Sequence, residues 1–122
     1  MPRNIVKTLE TNFSDMKAGE QMLISSPEAI ADYIHNIPKG TILTPKEMRK
    51  ALAREKGADN CCPVTTGIFL RLAIEDVLAV FPLEESPLPF WRVVDEKHPV
   101  LKKLGILPAD ITRMRQQEQA ER

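Results

Sequence analysis

The side chains of this sequence that can do chemistry fall into four groups. Two adjacent thiols, Cys61 and Cys62, stand directly before Pro63. Neighbouring cysteines rarely bridge, because ordinary backbone geometry does not give the Cα and Cβ placement a disulfide needs. The pair therefore reads as reduced thiols. If a helix begins at Pro63, Cys62 caps it and feels the positive helix end, the setting that activates a nucleophilic or redox thiol. The commoner fate of such a cysteine is simple burial. The second group, Lys46, Arg49, Lys50 and Arg54, makes one basic helix face, fit either to follow a phosphate backbone or to be solvated. The third, Thr65, Thr66, Gly67 and Arg71, opens the next helical segment, where Gly67 lets backbone come close to a nucleic acid. Glu75 and Asp76 further along would repel phosphates, so only the first turns of that helix can enter a groove. The fourth, Phe90, Trp91 and Arg92, offers two aromatic rings on which a base can stack, worth about 1–3 kcal/mol per base. On a strand, the same two rings would point to opposite faces and serve the core. Arg92 reads equally as a DNA contact or as a donor to nearby backbone carbonyls. No metal site is expected, since Cys61, Cys62, His35 and His98 lack ligand spacing, and no cofactor is expected. His35 reads as a helix-end residue and His98 as a turn residue before Pro99.

Composition narrows the classes. A chain of 122 residues is one domain's length and can bury a core without disulfides or metals. With 43% hydrophobic and 28% charged residues, it is neither disorder-like nor a polycation. Seventeen basic and seventeen acidic side chains give zero formal charge, which counts against strong non-specific DNA binding but leaves room for a local basic patch. The first twenty residues hold no continuous apolar run, so no secretory signal is read. Nothing is long enough to span a membrane, and a cytoplasmic location is the expectation.

These groups need elements to position them. Residues 1–24 read as an N-terminal arm that ends in a short strand or loop at Met22-Leu23-Ile24. Ser26-Pro27-Glu28 is a helix start, with Ser26 as cap and proline at the first position, and this helix should run to about Asn36. Ile30, Ile34 and Ile37 supply its core face. Ile37-Pro38-Lys39-Gly40 breaks it, and Thr41-Ile42-Leu43 reads as a small strand. Thr44-Pro45-Lys46-Glu47 repeats the start signal as a capping box, for a helix that reaches Arg54 or Glu55 and stops at Gly57. Cys62-Pro63 or Thr65-Thr66 opens a third helix to about Val80. Its apolar residues, among them Ile68, Phe69, Leu72 and Ala73, cover most of the circumference and predict the most buried helix of the domain. Phe90 to Val94 is the best strand candidate. Pro108 starts a last helix whose Gln- and Glu-rich end is expected to fray.

This order of helix, Pro-x-Gly turn, capped helix, loop, buried helix and then Pro89-Phe90-Trp91-Arg92-Val93 resembles the DNA-binding domain of the alkylguanine-DNA alkyltransferases, the methylated-DNA-protein cysteine methyltransferase family. The likeness spans roughly Pro27 to Val94, and Cys62 to Phe69 is similar to a segment of its non-catalytic, alkyltransferase-like branch. It implies a mainly α fold with a small β component, a winged-helix-like helix-turn-helix domain over residues 25–107, and a C-terminal helix or tail over 108–122. It places Thr65 to Arg71 in the recognition helix and Pro89 to Val93 on the Pro-Cys-His-Arg-Val nucleophile motif. Phe90 stands at the cysteine position and Trp91 at the histidine position, so the thiolate reaction has neither nucleophile nor base. Non-catalytic members replace that cysteine, bind alkylated DNA, flip the damaged nucleotide and flag it for repair. The family's flipping tyrosine and gap-filling arginine align with Pro45 and Val64, so the groups that offset the cost of base flipping are missing.

Three readings follow. The first is a non-catalytic alkyltransferase-like protein that binds double-stranded DNA, at alkylated or distorted bases, through Lys46, Arg49, Thr65, Thr66, Gly67, Arg71 and Arg92, with Phe90 and Trp91 as base pocket. The second is a protein-interaction or regulatory module that kept the fold and lost DNA contact. The third is a thiol enzyme built on Cys62.

Overall fold

A computed structural model describes residues 5–121. The chain is mainly helical with one three-stranded sheet, in the order β1 (Ile5–Thr8), β2 (Gln21–Ile24), α1 (Pro27–His35), α2 (Pro45–Glu55), β3 (Asn60–Cys61), α3 (Pro63–Leu78), α4 (Val100–Leu104) and α5 (Pro108–Ala120). Short 3₁₀ turns lie at Leu83–Glu85 and Phe90–Arg92.

The helices start where the caps put them. Ser26 Oγ accepts from the Ala29 N–H at 3.1 Å, closing the first turn of α1. At α2 the Glu47 N–H donates to Thr44 Oγ1 at 3.1 Å and the Thr44 N–H donates to Glu47 Oε1 at 2.9 Å, a complete capping box. Gly57 follows at φ +72, a left-handed conformation that costs glycine little. Proline occupies the start of α1, α2, α3 and α5, where its missing N–H would have no helical partner anyway.

The sheet order is β1-β2-β3. β1 pairs antiparallel with β2, setting Ile5 opposite Ile24, whereas β2 pairs parallel with β3, setting Leu23 opposite Cys61. A parallel pair needs a long connection, and here α1 and α2 together supply it. Residues 21–24 thus form the expected strand. Of the arm read over residues 1–24, the first four lie outside the described residues.

One core joins all five helices to the sheet. Ile30, Ile34, Met48, Leu70, Ile74, Leu88, Phe90, Val94 and Ile111 are fully or almost fully buried in it. Four local expectations are corrected. Phe90 to Val94 is not a strand: Phe90, Trp91, Val93 and Val94 are all buried, which a tight turn inside the core allows and an alternating strand does not. Thr41 to Leu43 is irregular: the Thr41 N–H turns back to the Pro38 carbonyl at 3.0 Å, and the Leu43 N–H donates to the Arg92 carbonyl at 2.8 Å. α3 is not covered on all sides, for Val64, Ile68 and Leu72, at i, i+4 and i+8, stand exposed on one stripe. The end of α5 is held rather than frayed, because Glu118 is buried.

Candidate nucleic-acid interface

The N-termini of α2 and α3, with the start of α4, enclose a groove of about 740 Å³. Its floor is apolar, made of Met48, Leu70 and Val100, all buried. Its charged lining is Lys46, Arg49, Arg71 and Lys103, with His98 beside them as a polar ring, and among the described residues no carboxylate lines it. In a chain of zero formal charge such segregation creates a local positive field.

The cations differ in readiness. Arg49 is held: its guanidinium donates to both Asp15 carboxylate oxygens, at 3.2 and 2.9 Å, and to the Cys61 carbonyl at 3.3 Å. The bond from Arg49 keeps the Asp15 carboxyl below the usual aspartate value. Arg71 pairs with Glu75 one turn on, at 2.6 Å, both side chains being partly exposed, so the pair exchanges cheaply for an outside anion. Among the described residues neither Lys46 nor Lys103 makes an ion pair. His98 Nδ1 accepts from the Val100 N–H at 3.1 Å. Burial lowers its pKa, with Lys103 acting in the same direction and Asp95 opposing. The neutral ring therefore carries its proton on Nε2.

The leading end of α3 faces this groove through Pro63, Val64, Thr66, Gly67 and Ile68. A Cβ built on Gly67 would meet nothing within 4 Å. Packing inside the chain therefore does not require glycine there. Thr66 is only 4% exposed, and among the described residues its hydroxyl and that of Thr65 have no hydrogen-bond partner. Sequence reasoning named Lys46, Arg49, Thr66, Gly67 and Arg71 in this neighbourhood, and the fold brings all five to one groove. Thr65 is half-buried outside that lining. Lys103 and His98 were not anticipated as partners, because only the fold carries α4 back to the start of α3.

The Phe90 turn lies elsewhere and is sealed. Phe90 is 0% and Trp91 7% exposed, and their rings meet edge to face with centroids 5.5 Å apart. They fill the core and do not form a base pocket, a correction of that expectation. Arg92 is equally committed. Its Nε and Nη2 grip the Glu118 carboxylate at 2.7–3.2 Å, and its Nη1 donates to the Ile37 carbonyl at 2.6 Å. Burial pushes Glu118 up, but the Arg92 bonds outweigh it and hold the carboxyl below the usual glutamate value. Arg115 Nε also donates to the Trp91 carbonyl at 2.7 Å. Arg92 thus ties α5 to the core and is removed from any DNA-facing surface.

The thiols are buried as well. Cys62 occupies the cap position of α3 without a side-chain cap bond and packs with Met16 and Met22. Burial pushes the neighbouring Cys61 thiol up to about 11. A thiol enzyme needs an accessible sulfur, and neither cysteine provides one. No cluster of three or more metal-binding side chains occurs among the described residues, and no helix among them is long and apolar enough to cross a membrane. No protein-family model, curated protein or solved structure matches the chain.

Proposed function

We propose that this chain is a non-catalytic DNA-binding domain of winged-helix-like, helix-turn-helix design, similar to the alkyltransferase-like proteins in the surface it offers and not in a base pocket. The single observation that carries the reading is the groove at the start of α3, lined by Lys46, Arg49, Arg71, Lys103 and His98 without a carboxylate. In this arrangement α3 offers its first turns to the duplex, with Gly67 at the point of closest approach, and Lys46, Lys103 and Arg71 meet phosphates. The connection from α2 to α3, residues 56–62, is longer than the three-to-four-residue turn of the simplest helix-turn-helix and houses β3. Phe90 being interior, the proposal is confined to duplex binding without capture of a flipped base.

The test is fluorescence anisotropy of a labelled duplex, with and without an alkylated guanine, across salt concentrations. Two to four phosphate contacts give a log–log slope of about −2 to −4 and equal affinity for the two duplexes. No binding at 20 mM salt overturns the reading. A second reading rests on a separate observation: Val64, Ile68 and Leu72 form an exposed apolar stripe on α3, Val64 being 58% exposed, a surface that suits a protein partner. Binding to a partner with little salt dependence would favour it.

A further inference from the structure

A second groove, of about 480 Å³, runs along the other side of α2 between that helix, Tyr33 of α1 and Leu43. Lys46, Lys50 and Arg54 line it at i, i+4 and i+8, so they stack on one side of the helix. All three are exposed, and among the described residues none makes an ion pair. The one carboxylate in this lining, Glu47, already accepts the Thr44 N–H at 2.9 Å and is turned to the helix start. Glu55 acts on Tyr33 from the far end of α2 but does not line the groove. Tyr33 is a neutral phenol, its pKa raised by burial and then by Glu47 and Glu55, and contributes a wall without charge.

Lys46 lines both grooves, so the cations form one continuous path from the start of α3 around the N-terminus of α2 and down its flank. Eight residues of helix rise about 12 Å. One DNA strand advances roughly 3.4 Å per phosphate along the duplex axis but winds around it, so its phosphates lie farther apart along the strand itself and the path along α2 spans two or three of them. The geometry points to a backbone track on α2: one strand of a bound duplex lies along Lys46, Lys50 and Arg54 while the start of α3 faces the bases. This rests on the DNA-binding reading above and deepens it by assigning Lys50 and Arg54 a ligand.

The experiment compares the unaltered protein with Lys50→Gln/Arg54→Gln on one duplex across salt concentrations, with thermal unfolding of both proteins as a control. The track requires the double variant to keep its melting temperature while its salt slope becomes shallower by about 2, one for each lost phosphate contact. It also requires the loss to be the same for unrelated duplex sequences, since backbone contacts carry no base information. If the unaltered protein binds and the slope does not change, the track is wrong and the α3 groove alone holds DNA. If the unaltered protein does not bind, the DNA reading itself fails, and the track fails with it. A loss confined to one sequence would make Lys50 or Arg54 a base contact and overturn the track as stated.

Discussion

The start of α3 and the turn at Phe90 have the same ingredients, an arginine, exposed-looking polar backbone and large apolar side chains, and the fold uses them in opposite ways. At α3 the apolar residues Val64 and Ile68 stay outside, Gly67 has open space above it, and the arginine is only loosely paired to Glu75. At the turn, both rings are inside, and the arginine is locked between a carboxylate and a carbonyl. The difference teaches that the short segment read against a nucleophile motif is a structural clasp, while the surface suited to a ligand is set by helix caps and by the distribution of charge.

The contrast can be broken most severely at Phe90. Phe90→Ala removes a fully buried ring and should destabilise the protein by about 3–5 kcal/mol in urea denaturation, a large part of the 5–15 kcal/mol typical of a domain. A loss under 1 kcal/mol would mean that the turn opens and that the ring is not core. Next in size is Glu118→Gln, which leaves the Arg92 charge in a largely buried place and should cost about 2 kcal/mol at pH 7. Because Glu118 is held below its ordinary value of 4.5, its contribution is complete above that pH and drains away as pH falls through the lower folded value. The gap between wild type and variant, followed by denaturation at pH 7, 4 and 3, should therefore close on the acid side. A gap that widens there would refute the pairing.

The smallest effect has the sharpest sign. Gly67→Ala should stabilise the free protein by up to about 1 kcal/mol, since alanine favours the helix and the space is open. The same change should weaken duplex binding severalfold if backbone at this position approaches DNA. Stabilisation with unchanged binding would move the contact point away from Gly67.

How far the sequence could be read follows from whether the deciding interactions were local. Ser26-Pro27 and Thr44-Pro45-Lys46-Glu47 announce helix starts through contacts three residues apart, and Pro63 and Pro108 through proline at the first helical position; all four helices begin there, α3 at the earlier of its two candidate starts. Phe90 to Val94 misled because aromatic and β-branched residues favour strands only where a sheet face awaits them. Here the turn packs against α5 within the core, and every side chain of it but Arg92 is buried. α4 escaped notice because five residues are too few to show a period, and β1 because each of its residues is exposed. In the candidate groove, the cations of α2 and α3 were legible as helix faces, whereas Lys103 and His98 depend on a long-range return of the chain.

The clasp between Arg92 and Glu118 also sets an order of events during synthesis. The two residues are 26 positions apart, so at 5–20 residues per second the arginine is made about 1–5 s before its counter-charge. Through that interval its guanidinium has the Ile37 carbonyl but not Glu118 to bond, and the Phe90 and Trp91 rings wait without α5 to cover them. Burial of the Phe90 turn and docking of α5 are therefore one event, which cannot be completed before Glu118 has been made.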